Sequence, residues 1–172
     1  GTKKLAININ LDINNFKAIY DNIKNKKIDL IIVGPEAPLV KGIVNYFQNK
    51  KTKIFGPTKN ASKLEGSKIF MKTFCKKFNI PTGNFKEIKN LIHAQKCIKN
   101  IKLPIVVKSD GLASGKGVTI CNSKKKALKN IKQILDGKFS SSSKVFIEEY
   151  LEGEELSYFI ITDGINFKCI GT

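Results

Sequence analysis

An α/β fold is predicted, on three observations. Asp29-Leu30-Ile31-Ile32-Val33-Gly34 is a continuous apolar run closed by glycine, the mark of a central parallel strand covered on both faces. It lies between stretches whose apolar residues recur at helical spacing, so strand and helix alternate. Farther along, Ile105-Val106-Val107-Lys108 and Val118-Thr119-Ile120-Cys121 are two β-type runs joined by a loop with three glycines, which reads as a hairpin.

In chain order, Leu5, Ile7, Ile9 and Leu11 alternate as in a strand with one buried face. Asp12 or Asn14 can cap a helix whose apolar residues are Phe16, Ile19, Tyr20 and Ile23. After the apolar strand, Gly34-Pro35-Glu36-Ala37-Pro38-Leu39 lies at its carboxyl end, where open α/β sheets bind ligands. Pro38 suits the first turn of a helix with the stripe Leu39, Val40, Ile43, Val44 and Phe47. A strand at Ile54-Phe55-Gly56 and a turn at Pro57 follow. Ser67 or Gly66 starts a helix carrying Phe70, Met71, Phe74, Cys75 and Phe78, a stripe expected to be core, which ends before Pro81. The pattern then changes to shorter strands, which sets a domain boundary near residue 84. A strand near Phe85 and a helix through Leu91, Ala94 and Ile98 precede the hairpin. Asn122 or Ser123 caps a helix with Ala127, Leu128, Ile131, Ile134 and Leu135 on one face. Strands are expected at Val145–Leu151 and Leu156–Thr162, with Asp163-Gly164 as a tight turn into another.

The loop from Ser109 to Gly117 carries the chemistry. Gly111, Gly115 and Gly117 permit close backbone approach to a polyphosphate, while Lys108 and Lys116 supply positive charge. A P-loop would need one more residue between its glycines, a hydroxyl where Gly117 stands, and a helix directly afterwards. The run Val118-Thr119-Ile120-Cys121 is β-branched instead. A glycine-rich hairpin closing over a nucleotide as a lid is therefore the expected architecture.

Composition bounds the function classes. The chain has 172 residues, 41% of them hydrophobic, enough for one or two domains with an ordinary core. No apolar stretch approaches the roughly 18 residues of a membrane span and no signal-peptide pattern opens the chain, so a soluble cytoplasmic protein is expected. Cys75, Cys97, Cys121 and Cys169 lie far apart with His93 as the single histidine, which suggests reduced, mostly buried thiols and neither a zinc site nor a disulfide framework. The net charge of +17 comes from lysine without any arginine, scattered among asparagine and isoleucine. That pattern points to solvated surface lysine and to no specific nucleic-acid partner.

Five segments in order carry a family resemblance: Gly34-Pro35-Glu36-Ala37-Pro38-Leu39, Ile54-Phe55-Gly56-Pro57, Leu64-Glu65-Gly66-Ser67-Lys68, the glycine loop, and Glu148-Glu149-Tyr150-Leu151-Glu152-Gly153-Glu154-Glu155. Together they resemble the phosphoribosylamine–glycine ligases, or glycinamide ribonucleotide synthetases, of the ATP-grasp superfamily. The resemblance implies an incomplete Rossmann-like (pre-ATP-grasp) domain over 1–84 with its connecting helix, an ATP-grasp lid over 85–155, and the first strands of the ATP-grasp core over 156–172. It implies ATP, glycine and 5-phosphoribosylamine as substrates, joined through a glycyl phosphate in purine biosynthesis, with Mg2+ or Mn2+ required. It assigns Lys68 and Lys108 to the nucleotide phosphates or the adenine edge, and the loop residues Gly111, Ser114, Gly115, Lys116 and Gly117 to the phosphates. Glu148 and Glu149 belong to the nucleotide-binding strand. As strand neighbours they face opposite ways, so one alone lines a given pocket. The backbone from Glu149 through Tyr150 to Leu151 is implied to read adenine, Glu155 the ribose hydroxyls, and Gly34, Pro35 and Glu36 the amine or ribose of phosphoribosylamine.

The family opens with a strand and a Gly-Gly-Arg-Glu-His loop and extends well past the counterpart of Thr172, through its metal ligands. An internal fragment, inactive alone and without the metal ligands, is therefore expected, its oligomeric state open. Ser109 and Ser114 stand where the family often has alanine. The alternatives are another ATP-grasp carboxylate–amine ligase, against which the Gly34–Leu39 segment argues, and a lysine-rich nucleic-acid binder.

Overall fold

The computed structural model describes residues 4–112, 117–138 and 143–172. Helix α1 (Phe16–Ile23) forms over the expected apolar spacing, but its cap is Asn15, whose side chain accepts from the Ala18 N–H. Asp12, an expected cap, instead accepts from the Asn14 backbone N–H at 2.9 Å. That local turn engages both residues one step too early to serve the helix.

Strand β1 (Leu30–Ile32) pairs in parallel with β2 (Lys53–Phe55), Ile31 opposite Ile54. The crossover between them is helical, as predicted, but the single expected helix is two, α2 (Glu36–Lys41) and α3 (Ile43–Phe47). Gly42 breaks it with φ of +96°, its N–H closing α2 onto the Pro38 and Leu39 carbonyls, a left-handed cap that glycine adopts without steric cost. Ile43, Val44 and Phe47 form a first core with Phe16, Ile19, Tyr20, Ile31 and Ile54 against it.

The expected strand from Leu5 to Leu11 is absent, and Leu5 and Ile7 are exposed. The sheet of β1 and β2 has just these two members among the described residues, and alternation without a neighbour to bond makes no ladder. For the same reason β1 is not covered on both faces. Ile31 enters the core, whereas Ile32 is 71% exposed.

A single turn, α4 (Lys63–Gly66), leads into α5 (Lys68–Lys77), capped by the Ser67 hydroxyl accepting from the Phe70 N–H. The stripe expected to be core is not. Phe70 and Phe78 are exposed, Met71, Phe74 and Cys75 half-buried, and the buried residue of α5 is Lys72. The aromatic side chains pack along their own helix, Phe74 to Phe78 at 4.5 Å between centroids, because the inward position meets a carboxylate.

The second sheet has the order β3-β6-β4-β5, all antiparallel, from β3 (Phe85–Ile88), β4 (Ile105–Ser109), β5 (Val118–Cys121) and β6 (Val145–Glu149). Ile105 stands opposite Cys121 and Lys108 opposite Val118. The chain thus returns from the glycine loop as a strand, as predicted, and the P-loop alternative falls. Helices α6 (Leu91–Ile98) and α7 (Lys124–Leu135), capped by Asn90 and Ser123, cover one face. Ala94, Ile98, Ile131 and Ile134 pack there on Ile105, Val107, Val145 and Ile147. Strand alternation leaves Val106, Lys108, Phe146 and Glu148 on the opposite face, where Phe85 meets Phe146 edge-on.

Strand β6 ends at Glu149, two residues before the expected Leu151. The hairpin of β7 (Phe159–Thr162) and β8 (Phe167–Gly171) forms a separate two-stranded sheet. Its connection is the four residues 163–166 and not a two-residue turn, because the Asp163 carboxylate accepts from the Ile165 and Asn166 N–H groups. All four cysteines are free thiols, but Cys121 alone is buried. Cys75 and Cys97 are half-buried and Cys169, on the open hairpin, is exposed. Among the described residues no helix is long and apolar enough to cross a membrane.

Candidate functional site

Two lysines on one face of α5 meet the helix-free side of the four-stranded sheet and the loop that leaves it. Lys68 and Lys72 are four residues apart and so project together. The Lys72 ammonium, on a side chain 4% exposed, donates to Thr82 Oγ1 at 2.6 Å, to the Gly83 carbonyl at 3.2 Å and to Glu148 Oε1. The other carboxylate oxygen of Glu148 lies 2.6 Å from the ammonium of Lys108, whose side chain is 26% exposed. A carboxylate is thus held between a buried and a half-open lysine. Of the neighbouring glutamates, Glu148 faces this cluster. Glu149 faces out, where hydrogen bonds with the side chain and then the backbone of Asn84 hold its carboxyl below the usual range.

The start of α5 is fastened to the base of the glycine loop. Lys68 donates to the Gly111 carbonyl at 2.7 Å, and Asp110 accepts from the Ser67 hydroxyl and the Ile69 N–H. Gly111 has φ of +84°, a turn that a side chain would strain. At the far end of the loop, the buried Gly117 returns its carbonyl to the Ser109 N–H at 2.8 Å. Ser114, Gly115 and Lys116 lie outside the described residues.

Lys68, Lys108, Gly111 and Glu148 are therefore brought to one region, the junction of α5 with β4 and β6. Tyr150, Leu151 and Glu155 follow β6 as exposed residues. Beside them, a cavity of about 290 Å³ is bordered by Asn84, Phe85, Lys102, Ile105, Glu148 and Glu149. Gly34, Pro35 and Glu36 are exposed at the carboxyl end of β1, with Glu36 opening α2. Among the described residues, Lys68 bonds the Gly111 carbonyl and Lys108 pairs with Glu148, and neither is joined to Glu36. Among the described residues no three His, Cys, Asp or Glu side chains gather as a metal site requires, and Glu148 is already shared between two ammonium groups. These residues do not by themselves fit a metal ion.

With the hairpin, the lysine–glutamate–lysine cluster and the loop base described, the chain can be set beside known families. Residues 66–172 match the family described as phosphoribosylglycinamide synthetase, ATP-grasp (A) domain, and residues 1–65 match the N domain of the same synthetase. The chain belongs to the phosphoribosylglycinamide synthetase family. It is 46% identical over 166 residues to a phosphoribosylamine–glycine ligase of Clostridium acetobutylicum, covering 95% of this chain and 40% of that relative. To the ligase of Brucella melitensis it is 41% identical over 173 residues, covering 100% and 40%. The crystal structure of phosphoribosylamine–glycine ligase from Thermotoga maritima superposes with a TM-score of 0.79 at 29% identity, over 98% of this chain and 40% of that one. The chain spans about 40% of the length of these relatives.

Lys72, Asp110, Thr82 and Asn84 join this arrangement without being singled out in the sequence analysis. A signal for Lys72 was present, since it is the one charge set between Met71 and Phe74 in an apolar helix stripe, four residues after Lys68. Asp110 was read as loop, although an acid between a strand and a glycine has a carboxylate free to bond a neighbouring helix start.

Proposed function

We propose that this chain supplies the nucleotide lid and part of the phosphoribosylamine site of a phosphoribosylamine–glycine ligase acting on small molecules in the cytoplasm. In that reaction a carboxylate oxygen of glycine attacks the γ-phosphorus of ATP, ADP leaves, and glycyl phosphate forms. The nitrogen of 5-phosphoribosylamine then attacks the acyl carbon, loses a proton, and inorganic phosphate departs. The ATP-grasp family uses ATP with Mg2+, which offsets charge on the transferring phosphoryl group. In such transfers the protein works mainly by positioning and electrostatics.

The observation that carries the proposal is Lys108. It ends β4 on the helix-free face, directly before the glycine loop, with its ammonium half open and braced by Glu148. A partly desolvated ammonium at the base of a glycine-rich loop suits a polyphosphate. Lys68 joins it on the phosphates or the adenine edge, and Gly111, Ser114, Gly115, Lys116 and Gly117 are assigned to the phosphates. Backbone from Glu148 through Leu151 takes adenine, Glu155 the ribose, and Gly34, Pro35 and Glu36 the phosphoribosylamine. In this reading residues 85–155 form the lid, between an N-terminal unit over 1–84 and the start of the core over 156–172.

The test is a pair of substitutions in the protein that carries this chain. Lys108→Ala is expected to weaken ATP binding by about 2 kcal/mol, the loss of charge-assisted bonds to phosphate. Glu36→Ala is expected to raise the KM for phosphoribosylamine and leave that for ATP unchanged. Equal losses for both substrates in both variants would show the roles to be wrongly divided.

A further inference from the structure

A buried ammonium is costly unless it is paired and its donors are used. Lys72 meets that condition completely. An ammonium has three donors, and those of Lys72 go to Thr82 Oγ1, the Gly83 carbonyl and Glu148 Oε1. None remains for a ligand. The backbone is also closed around this pair, since a Cβ on Gly83 would come within 3.0 Å of Glu148 Oε1.

The consequence falls on Lys108. Its ammonium shares the same carboxylate at 2.6 Å, and a lysine facing a carboxylate alone presents no net charge to an incoming anion. Here the carboxylate is also neutralised from the buried side. Two ammonium groups on one carboxylate leave a single positive charge, and the open lysine is where an anion can reach it.

We propose that Lys72 is a positioning residue for the nucleotide phosphates: by occupying Glu148 from behind, it holds the carboxylate in place and leaves Lys108 with net charge for an anion. The proposal rests on the reading of Lys108 as a phosphate contact. It concerns how that contact keeps its charge, and Lys72 itself touches no nucleotide.

The experiment compares affinities for ATP and for adenosine, by titration calorimetry, in the protein that carries this chain. Lys72→Met is expected to weaken ATP binding about tenfold and adenosine binding by less than about twofold, since the lost charge matters to phosphate alone. Adding Glu148→Gln to Lys72→Met is expected to bring ATP affinity back to within about threefold of the parent, because Lys108 then faces a neutral amide. Lys72→Arg retains the cation and most of the affinity. A merely structural Lys72 gives the opposite pattern, with ATP and adenosine affinity falling together and the double variant binding ATP no better than the single one. Either result overturns the proposal. Should Lys72→Met fail to fold by circular dichroism, the double variant decides against the parent: near-parental ATP affinity supports the proposal and a loss beyond about tenfold refutes it. Lys108→Ala separates the two readings. Unchanged ATP affinity there refutes the phosphate site itself, whereas a loss there with none in Lys72→Met refutes the role of Lys72 alone.

Discussion

Asp110, one residue beyond β4, does for α5 what a helix start needs. Its Oδ1 accepts from the Ile69 N–H at 3.1 Å, and the Ser67 hydroxyl lies 3.0 Å from both carboxylate oxygens. N–H groups in a first turn have no partner within the helix, and the helix dipole favours a negative charge there. Because Lys68 leaves the same turn for the Gly111 carbonyl, Asp110 also fixes where that lysine meets the glycine loop. Asp110→Ala is expected to destabilise the protein by about 2 kcal/mol, the cost of stranding part-buried donors, read from the denaturant midpoint at unchanged slope. Asp110→Asn keeps an acceptor and should cost about half as much. A change below about 0.5 kcal/mol for the alanine variant would mean that water replaces the carboxylate without loss.

At the scale of elements, the hairpin of β7 and β8 exposes apolar side chains on both faces, Ile165 and Phe167 among them, so its local turn has much of the work of holding it. The Asp163 carboxylate accepts from the Asn166 and Ile165 N–H groups, which lower its pKa from the usual 3.8 to about 2. The folded value lies below the unfolded one. Its contribution is therefore complete above 3.8 and lost as pH falls through about 2. Amide exchange at Ile165 and Asn166, corrected for intrinsic pH dependence, should accelerate across that window and not in Asp163→Asn. A flat profile in the parent would remove the turn from the account. How legible these elements were follows from how local their causes are. The β4–β5 hairpin was readable because β-branched residues and glycines specify it within seventeen positions, Ile105 to Cys121. The helix stripes of α1, α6 and α7 were readable for the same reason. The segment Leu5 to Leu11 was misread because a strand depends on a neighbour that its own alternation does not specify. The break at Gly42 was legible in principle, as a glycine between two half-stripes. Lys72 is marked only as a charge in an apolar stripe; its partner is not, since its burial is decided by Glu148, 76 residues away.

Over the whole molecule, two apolar cores are joined by polar contacts. One gathers around Phe47 and the other around Ile131, and no buried residue belongs to both. Between them runs α5, held to the four-stranded sheet and its glycine loop by Asp110 at its start, by Lys68 on the Gly111 carbonyl and by Lys72 on Glu148. Apolar cores that share no side chains can open separately, whereas a buried polar network is cooperative only while every member is satisfied. Ile131→Ala and Phe47→Ala should each cost about 2–5 kcal/mol, from lost transfer energy and the cavity left behind. Their effects should stay local. Native-state hydrogen exchange is expected to accelerate through α7 and β3–β6 in the first variant and through α1, α3 and β1–β2 in the second. Uniform acceleration in both would mean that the two cores unfold as one unit. In that case α5 transmits the loss from one core to the other, and the same polar contacts that place Lys68 and Lys108 also carry the cooperativity of the fold.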